Sequence, residues 1–144
     1  MSIGAYNNDE PAQTTQPRVF SLRVSYTTEL AAQLDTALQF VVRKIGFKPS
    51  GPFTYSIPSE NNLILDDTNG NRLIINCQKL ESNDRIKSII FYTDDCLRDY
   101  HKYILLGVEF TSRPEYNGSG LQVNFLDHAG NCCTLLEERI YTET

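Results

Sequence analysis

One pattern of turns and helix stops occurs twice in this sequence, and that repeat limits the folds the chain can adopt. The motif Asp-x-x-Gly-Asn occurs at residues 67–71 and again at residues 127–131, an offset of 60. The glycines predicted to end two helices, Gly46 and Gly107, are offset by 61. The same turn motif and helix-ending glycine recur at nearly the same spacing, which indicates an internal duplication. Two copies are too few for a solenoid.

Both halves predict the same order of elements. In the first half, residues 19–24 alternate apolar and polar, which is typical of a strand, and apolar residues three or four apart over 30–45 predict a helix capped by Thr28. Strands are predicted near 53–57, 62–65 and 72–77. In the second half, a strand at 88–93 and a helix capped by Asp94 or Asp95 precede strands near 108–111, 121–126 and 132–137. The apolar stripe of that second helix includes Leu97, Tyr100 and Ile104.

One helix for four strands can cover only one face of each small sheet, so the other face needs a second partner. The natural packing partner for that face is the equivalent face of the sheet in the other half. Two curved sheets that meet without closing leave room for a small ligand. The sequence therefore predicts an α+β fold in which two repeated βαβββ modules form an incompletely closed β-barrel around a central cavity, with the helices outside. Residues 1–17 are predicted to be a flexible tail, and 18–144 a single domain with module one at 18–80 and module two at 84–140.

Strand alternation also predicts which side chains face the cavity. The apolar residues of 20–24 belong under the helix, which leaves Ser21 and Arg23 facing inward, and the same argument places Gln122 and Asn124 inward. An inward arginine can clamp a carboxylate or phosphate, although an exposed arginine on an edge strand explains the pattern equally well. The candidate ligand-binding residues are Ser21, Arg23, Ser88, Tyr92, Gln122, Asn124 and Thr134.

Charge and hydropathy exclude several classes of partner. The chain of 144 residues carries a formal net charge of −5, which disfavours nucleic acid and anionic membranes. No apolar run approaches the ~20 residues that span a bilayer, and the polar first 18 residues do not resemble a signal peptide. We therefore expect a cytoplasmic protein whose cysteines, which lack C-x-x-C spacing, are reduced and mostly buried.

Three segments of the second half carry a family resemblance. Residues 88–95 (SIIFYTDD), 106–110 (LGVEF) and 125–131 (FLDHAGN) resemble the first strand, helix end and last hairpin of the vicinal oxygen chelate superfamily. That superfamily includes glyoxalase I, bleomycin-resistance proteins and extradiol dioxygenases. The first half resembles it more loosely, at residues 23–24, 45–47 and 67–71. The resemblance implies the fold above and a homodimer, sometimes with jointly built pockets.

Metal-dependent members of that superfamily hold a divalent ion with His or Glu on the first and last strands of each module. The corresponding positions here fall at about Val19, Ile74, Ser88 and Thr134, and none offers an imidazole or carboxylate. The two histidines, His101 and His128, are expected to be structural or solvated. We therefore expect no metal and no cofactor.

The leading hypothesis is a metal-free protein that binds a small molecule between its two modules, similar to the drug-sequestering members of the superfamily. Three alternatives stay open: a metal-dependent lyase, isomerase or dioxygenase with relocated ligands; a metal-free enzyme using Arg23, Tyr92 or Asn124; and an interaction subunit without a ligand. An enzyme of this family would be a glyoxalase-like lyase or a dioxygenase. The acidic composition favours a cationic ligand, whereas Arg23 favours an anionic one.

Overall fold

The computed structural model describes residues 18–49 and 62–139. Its elements in chain order are β1 (Val19–Thr27), a 3-10 helix (Thr28–Gln33), α1 (Leu34–Lys44), β2 (Asn62–Asp66), β3 (Arg72–Leu80), β4 (Ile89–Tyr92), α2 (Cys96–Leu105), β5 (Glu109–Phe110), β6 (Glu115–Asn117), β7 (Gly120–Leu126) and β8 (Cys132–Glu138). The predicted tail at 1–17 and the predicted strand near 53–57 lie outside the described residues.

The described strands form one open sheet in the order β2-β3-β1-β4-β8-β7-β5, with β6 pairing on β7. Strand β1 is parallel to β3, and β4 is parallel to β8, so the first strand of each half pairs with the last strand of the same half. The two halves join where β1 and β4 pair antiparallel, through Val24 with Phe91 and Ser25 with Ile90. The α+β class is confirmed.

The join between the halves differs in one respect from the predicted arrangement of two sheets face to face. Strands β1 and β4 each have a free edge, and their unpaired N–H and C=O groups satisfy one another by pairing. The two sheets therefore continue edge to edge, and their faces without helices lie on the same side.

Both helices pack on one face of this sheet. Phe40 of α1 and Tyr103 of α2 both contact the buried ring of Phe125 on β7, with ring centroids 6.3 and 6.1 Å apart. The apolar positions of the strands, such as Val24 and Ile75, have no exposed surface and join the same core. Burying this set removes the bulk of the apolar surface from water, which is the main stabilising contribution in a domain of this size.

The repeated motif folds identically in the two halves. The carboxylate of Asp67 accepts hydrogen bonds from the backbone and side-chain amides of Asn71, both at 2.8 Å. Asp127 does the same with Asn131, at 2.9 and 2.8 Å. The motif glycines at 70 and 130 have φ of 82° and 84°, a left-handed conformation that glycine adopts without steric cost.

The start of the first helical segment differs from the prediction. Thr28 lies inside a 3-10 helix whose N-cap, Thr27, makes no side-chain capping bond, so the α-helix begins only at Leu34. The 3-10 turn continues directly from β1, which leaves no separate capping residue between them.

The second helix confirms one prediction and corrects another. Asp95 is the N-cap of α2, and its carboxylate accepts a hydrogen bond from the backbone amide of Arg98 at 3.0 Å. Of the predicted buried positions, Tyr100 is partly buried against the core, whereas Leu97 and Ile104 are 47% and 45% exposed, because the fully buried residues of α2 are Cys96 and Tyr103. Among the described residues, no helix has the length and apolar character needed to cross a membrane.

Candidate functional site

The sheet face opposite the helices carries every predicted ligand-binding side chain. On β1, the side chain of Leu22 is buried under the helices while its neighbours Ser21 and Arg23 are exposed. The same alternation holds on β7, where Val123 and Phe125 are fully buried. The predicted residues on this face fall into two clusters, one beside the join between the halves and one within the second half.

A cleft opens where the two halves separate. Strands β1 and β4 pair only through two residues each, so the first part of β1 runs free of β4 and α2. The resulting cleft has a volume of about 850 Å³ and lies between residues 18, 20–23, 41, 45, 74 and 76 on one side and 91–94, 98, 99, 102, 103, 135 and 138 on the other. Its walls include the apolar side chains of Phe20, Leu22, Val41, Ile45, Phe91 and Tyr103.

Three of the predicted residues lie at this cleft, namely Ser21, Arg23 and Tyr92. The guanidinium of Arg23 lies 3.7 Å from the centroid of the Tyr92 ring and pairs with the carboxylate of Glu138 on β8. The Tyr92 hydroxyl is in turn 3.0 Å from the hydroxyl of Ser25, which is fully buried. Arg23 therefore has an ionic partner already, and it connects β1 of the first half to β4 and β8 of the second.

The other four predicted residues form a separate polar cluster. Ser88, Gln122, Asn124 and Thr134 line a second cavity of about 330 Å³. The Thr134 hydroxyl donates to the side-chain oxygen of Asn124 at 2.7 Å, and the Ser88 hydroxyl lies 2.6 Å from that of Thr134. Thr134 has one hydroxyl hydrogen, which it donates to Asn124. Ser88 is therefore the donor in the hydrogen bond between Ser88 and Thr134.

Two ion pairs that share Arg98 lie at the α2 end of the large cleft. Arg98 binds Asp94 at 2.7 Å and Asp99 at 3.2 Å, so one guanidinium bridges two carboxylates. Hydrogen bonds to Asp94, and then to Asp99, raise the pKa of Arg98, while the same bond to Arg98 lowers the pKa of Asp94. Asp99 also accepts a hydrogen bond from Thr93. The two carboxylates share one guanidinium, and the three groups shape the mouth of the cleft.

Tyr103 forms part of the cleft wall with its hydroxyl in a dry environment. Only 2% of this residue is exposed, and burial, followed by the charge of Asp99, raises the pKa of its phenol. The phenol therefore stays protonated at neutral pH and cannot serve as a base. Its contribution to the cleft is an aromatic surface.

The positions equivalent to metal ligands hold no metal-binding side chains. Val19 is 66% exposed at the start of β1, and Ile74 is a half-buried aliphatic residue on β3. Ser88 and Thr134 are neutral hydroxyls bonded to each other. Within residues 18–49 and 62–139, no three His, Cys, Asp or Glu side chains converge on one point.

Both histidines lie against aromatic rings. The ring of His128 is 5.8 Å from that of Phe40, and the ring of His101 is 5.4 Å from that of Tyr100. Both residues are exposed, and neither lines the large cleft.

The sequence reasoning missed Glu138 and the contribution of α2. Glu138 follows the predicted end of the last strand by one residue, and its even spacing from Thr134 and Leu136 places it on the same face as both. That spacing is the sequence signal from which Glu138 could have been assigned to this face. The α2 residues that line the cleft could not be found in the same way, because they enter it only through the separation of β1 from β4.

Comparisons with known proteins give structural matches only. No family model matches this sequence, and no curated protein matches it. Solved structures similar to the chain include TnmS3, an antibiotic binding protein from Streptomyces sp. CB03234, at 18% identity over 89% of this chain and 99% of that one, with a TM-score of 0.42. TioX from Micromonospora sp. ML1 matches at 17% identity over 87% and 100%, with a TM-score of 0.42.

A third match carries the name of the superfamily that the sequence resembles. It is a member of the glyoxalase/bleomycin resistance protein/dioxygenase superfamily from Sphaerobacter thermophilus DSM 20745, at 20% identity over 88% of this chain and 100% of that one, with a TM-score of 0.40. One solved structure similar to this chain is thus a member of the superfamily that its motifs resemble.

Proposed function

We propose that this protein binds a small organic molecule in the cleft between its two modules, without a metal ion, as a binding protein of the glyoxalase/bleomycin-resistance/dioxygenase family. The observation that carries the proposal is the cleft itself, with a volume of about 850 Å³, apolar walls and charged groups at its mouth. Ligand sites in proteins are concave and mostly apolar, with a few polar groups that orient the ligand, and they measure roughly 300–1,000 Å³.

The location of the cleft supports this proposal. One wall comes from β1 and α1, which carry Leu22 and Val41, and the other from β4 and α2, which carry Phe91 and Tyr103. Four of its lining side chains are thus buried apolar groups that belong to rigid elements. A cleft between packed elements of two halves is a preferred place for a ligand, because both halves contribute contact area without a flexible loop.

The chemistry of the four positions equivalent to metal ligands supports binding without a metal. Ser88 and Thr134 are engaged in a hydrogen-bonded chain with Asn124, and neutral hydroxyls are weak ligands for a divalent transition metal. Val19 and Ile74 have no donor atom at all. A metal at this face would need ligands from other positions.

The proposal includes a homodimer as the working form. Helices cover only one face of the sheet, and the opposite face carries half-buried apolar side chains, among them Ile74 and Ile90, next to its polar clusters. A second copy of the chain would remove these groups from water. Sedimentation velocity measures the mass in solution; a dimer is expected, and a monomer at micromolar concentration would contradict this part.

The proposal also places the protein in the cytoplasm. No two of the four cysteines, all of which lie within the described residues, form a disulfide, and Cys77, Cys96 and Cys133 are buried in the core, as expected in a compartment that keeps thiols reduced. Fractionation of the source cells, followed by immunoblotting, tests this placement. Recovery in the cytosolic fraction is expected, and recovery in a secreted or membrane fraction would contradict it.

A thermal-shift screen of aromatic and amphipathic compounds tests the proposed function. A ligand that binds only the folded state at about 100 times its Kd stabilises it by about 2.7 kcal/mol, so hits raise the melting temperature clearly. The protein is first dialysed against EDTA, and the hits are expected to persist after this treatment.

A pair of variants locates the binding site. Ser21→Trp fills the cleft from an exposed position on β1, and Lys79→Trp adds the same side chain on β3, away from the cleft. We expect the first variant to reduce the shifts and the second to keep them. No shift with any compound, or equal shifts in both variants, would contradict the proposal.

A further inference from the structure

We propose that the ligand of the large cleft is an amphipathic anion, an apolar body with one negative group that binds Lys102; this rests on the proposed function and names its ligand class. The composition of the chain favours a cationic ligand and Arg23 favours an anionic one. The arrangement of charges around the cleft decides between them.

The carboxylates of the cleft are already occupied. Glu138 pairs with Arg23, while Asp94 and Asp99 share Arg98. A cationic ligand could share an exposed carboxylate such as Asp94, but it would take a carboxylate for itself only by displacing a bonded guanidinium. Displacing it would leave that arginine without its hydrogen-bond acceptor, which costs free energy and offsets what the new pair contributes.

Two basic groups of the cleft have no carboxylate partner within residues 18–49 and 62–139. The guanidinium of Arg18 lies 4.8 Å from the centroid of the Phe20 ring, at the outer end of the β1 wall. Lys102 lines the opposite wall on α2, next to Tyr103, and none of the ion pairs among the described residues involves it. Within the part of the chain that the structure describes, the cleft is lined by four basic side chains and three acidic ones, in a chain whose net charge is −5.

The apolar walls and the unpaired ammonium select one kind of molecule. Phe20, Ile45 and Ile74 are partly exposed in the cleft and offer contact to a hydrocarbon or aromatic body, and Lys102 offers a positive charge in the same cleft. A negative group placed there gains an ionic contact without breaking one. Lys102 rather than Arg18 is assigned as the binding group, because Arg18 is already stacked on Phe20.

A matched pair of fluorescent probes tests the charge preference. Anilinonaphthalene sulfonate carries one sulfonate, and phenylnaphthylamine has the same aromatic body without it. We expect the anionic probe to bind wild-type protein about tenfold more tightly than the neutral one, equivalent to about 1.4 kcal/mol. A cleft that recognises only apolar surface would give the reverse order, because the neutral probe is the more hydrophobic of the two.

Two variants, each of which removes one positive charge, identify the group that binds the anionic probe. Lys102→Gln is expected to weaken binding of the anionic probe by about fivefold to tenfold and that of the neutral probe by less than about twofold. Lys79→Gln removes the same charge at an exposed position of β3 and is expected to change neither. Circular dichroism of each variant checks that the probes report on folded protein.

The outcomes separate this inference from the proposed function. If the neutral probe binds as tightly as the anionic one, or if Lys102→Gln weakens both equally, the inference fails while small-molecule binding stands. If neither probe binds and no compound in the thermal-shift screen does, the proposed function fails and this inference with it. A selective loss of the anionic probe in Lys102→Gln alone supports both.

Discussion

Arg23 and Tyr92 belong to different halves of the duplicated chain, and the guanidinium of the first lies 3.7 Å from the ring centroid of the second. The ion pair of Arg23 with Glu138 adds a second contact between the halves. Backbone pairing between the halves is limited to two residues on each strand, so these side chains supply part of the connection at the mouth of the cleft.

A double-mutant cycle measures this connection. Arg23→Met keeps most of the side-chain volume and removes the charge, and Tyr92→Leu removes the ring. We expect a coupling free energy of about 0.5–1 kcal/mol from urea unfolding, since the pair is partly exposed and cation–π contacts of that kind are modest. Glu138→Gln should lower the stability of the wild-type protein, because it removes the partner of Arg23. The same substitution should not lower the stability of Arg23→Met, which has already lost that ion pair. Additive effects of the first two substitutions would show that the stacking is not formed in solution.

The hydroxyl of Thr134 is the centre of the polar chain from Ser88 to Asn124, and replacing it tests that chain. Thr134→Val keeps the shape and leaves the side-chain oxygen of Asn124 without its buried donor, which costs about 1–3 kcal/mol. Ser88→Ala removes only the end of the chain, so a smaller loss is expected. Urea unfolding of both variants gives the comparison, and a larger loss in Ser88→Ala would contradict the assigned direction of the hydrogen bonds.

Strand alternation was enough to predict which side chains share the face without helices. Ser21, Arg23, Gln122 and Asn124 were placed there from the period-two pattern alone, because one buried face fixes the register of a strand. The turn motif of the two hairpins is equally local, and Asp67 bonds to Asn71 as Asp127 bonds to Asn131. These features depend on a few residues near one another in sequence, so the sequence reveals them.

The features that the sequence did not reveal depend on contacts between distant elements. The cleft exists because β1 pairs with β4 over two residues and then separates from it, and nothing in either strand alone sets that length. The stripe of α2 was misplaced because apolar Leu97 and Ile104 fit the helical period as well as Cys96 and Tyr103 do. The position of the helix over the sheet decides between the two sets.

The four cysteines are expected to differ strongly in reactivity. Burial raises the pKa of the Cys96 thiol to about 11, and it raises the pKa of Cys133 as well, while Cys77 is almost completely buried. Cys132 is exposed on β8. Iodoacetamide at pH 8 should therefore modify Cys132 in the folded protein and all four thiols in urea, because the thiolate is the reactive species.

Mass spectrometry counts the adducts. Cys132→Ser serves as the control and should take up no label when folded. Rapid labelling of Cys96 or Cys133 in the folded protein would contradict their burial.

The turn carboxylate of Asp67 predicts a pH dependence of stability. Burial alone would raise its pKa, but hydrogen bonds from Asn71 and Asn69 outweigh that effect and lower the pKa. A carboxyl group with a lowered pKa in the folded state contributes stability above its unfolded pKa of about 3.9 and loses it as the pH falls through the folded value. Asp67→Asn should therefore destabilise the protein near neutral pH, and the difference from wild type should shrink as the pH falls below about 4. Thermal unfolding across this range tests it; a constant difference would show that the carboxylate charge is not involved.

Amide chemical-shift mapping tests the proposed cleft most directly. Isotope-labelled protein, dialysed against EDTA, is titrated with anilinonaphthalene sulfonate while the backbone amides are followed. The account predicts saturable shifts, without added metal, concentrated at the cleft-lining residues 20–23 on one wall and 91–94, 98, 99, 102 and 103 on the other. Absence of saturable shifts, shifts that require a divalent ion, or shifts confined to residues outside the cleft would contradict it.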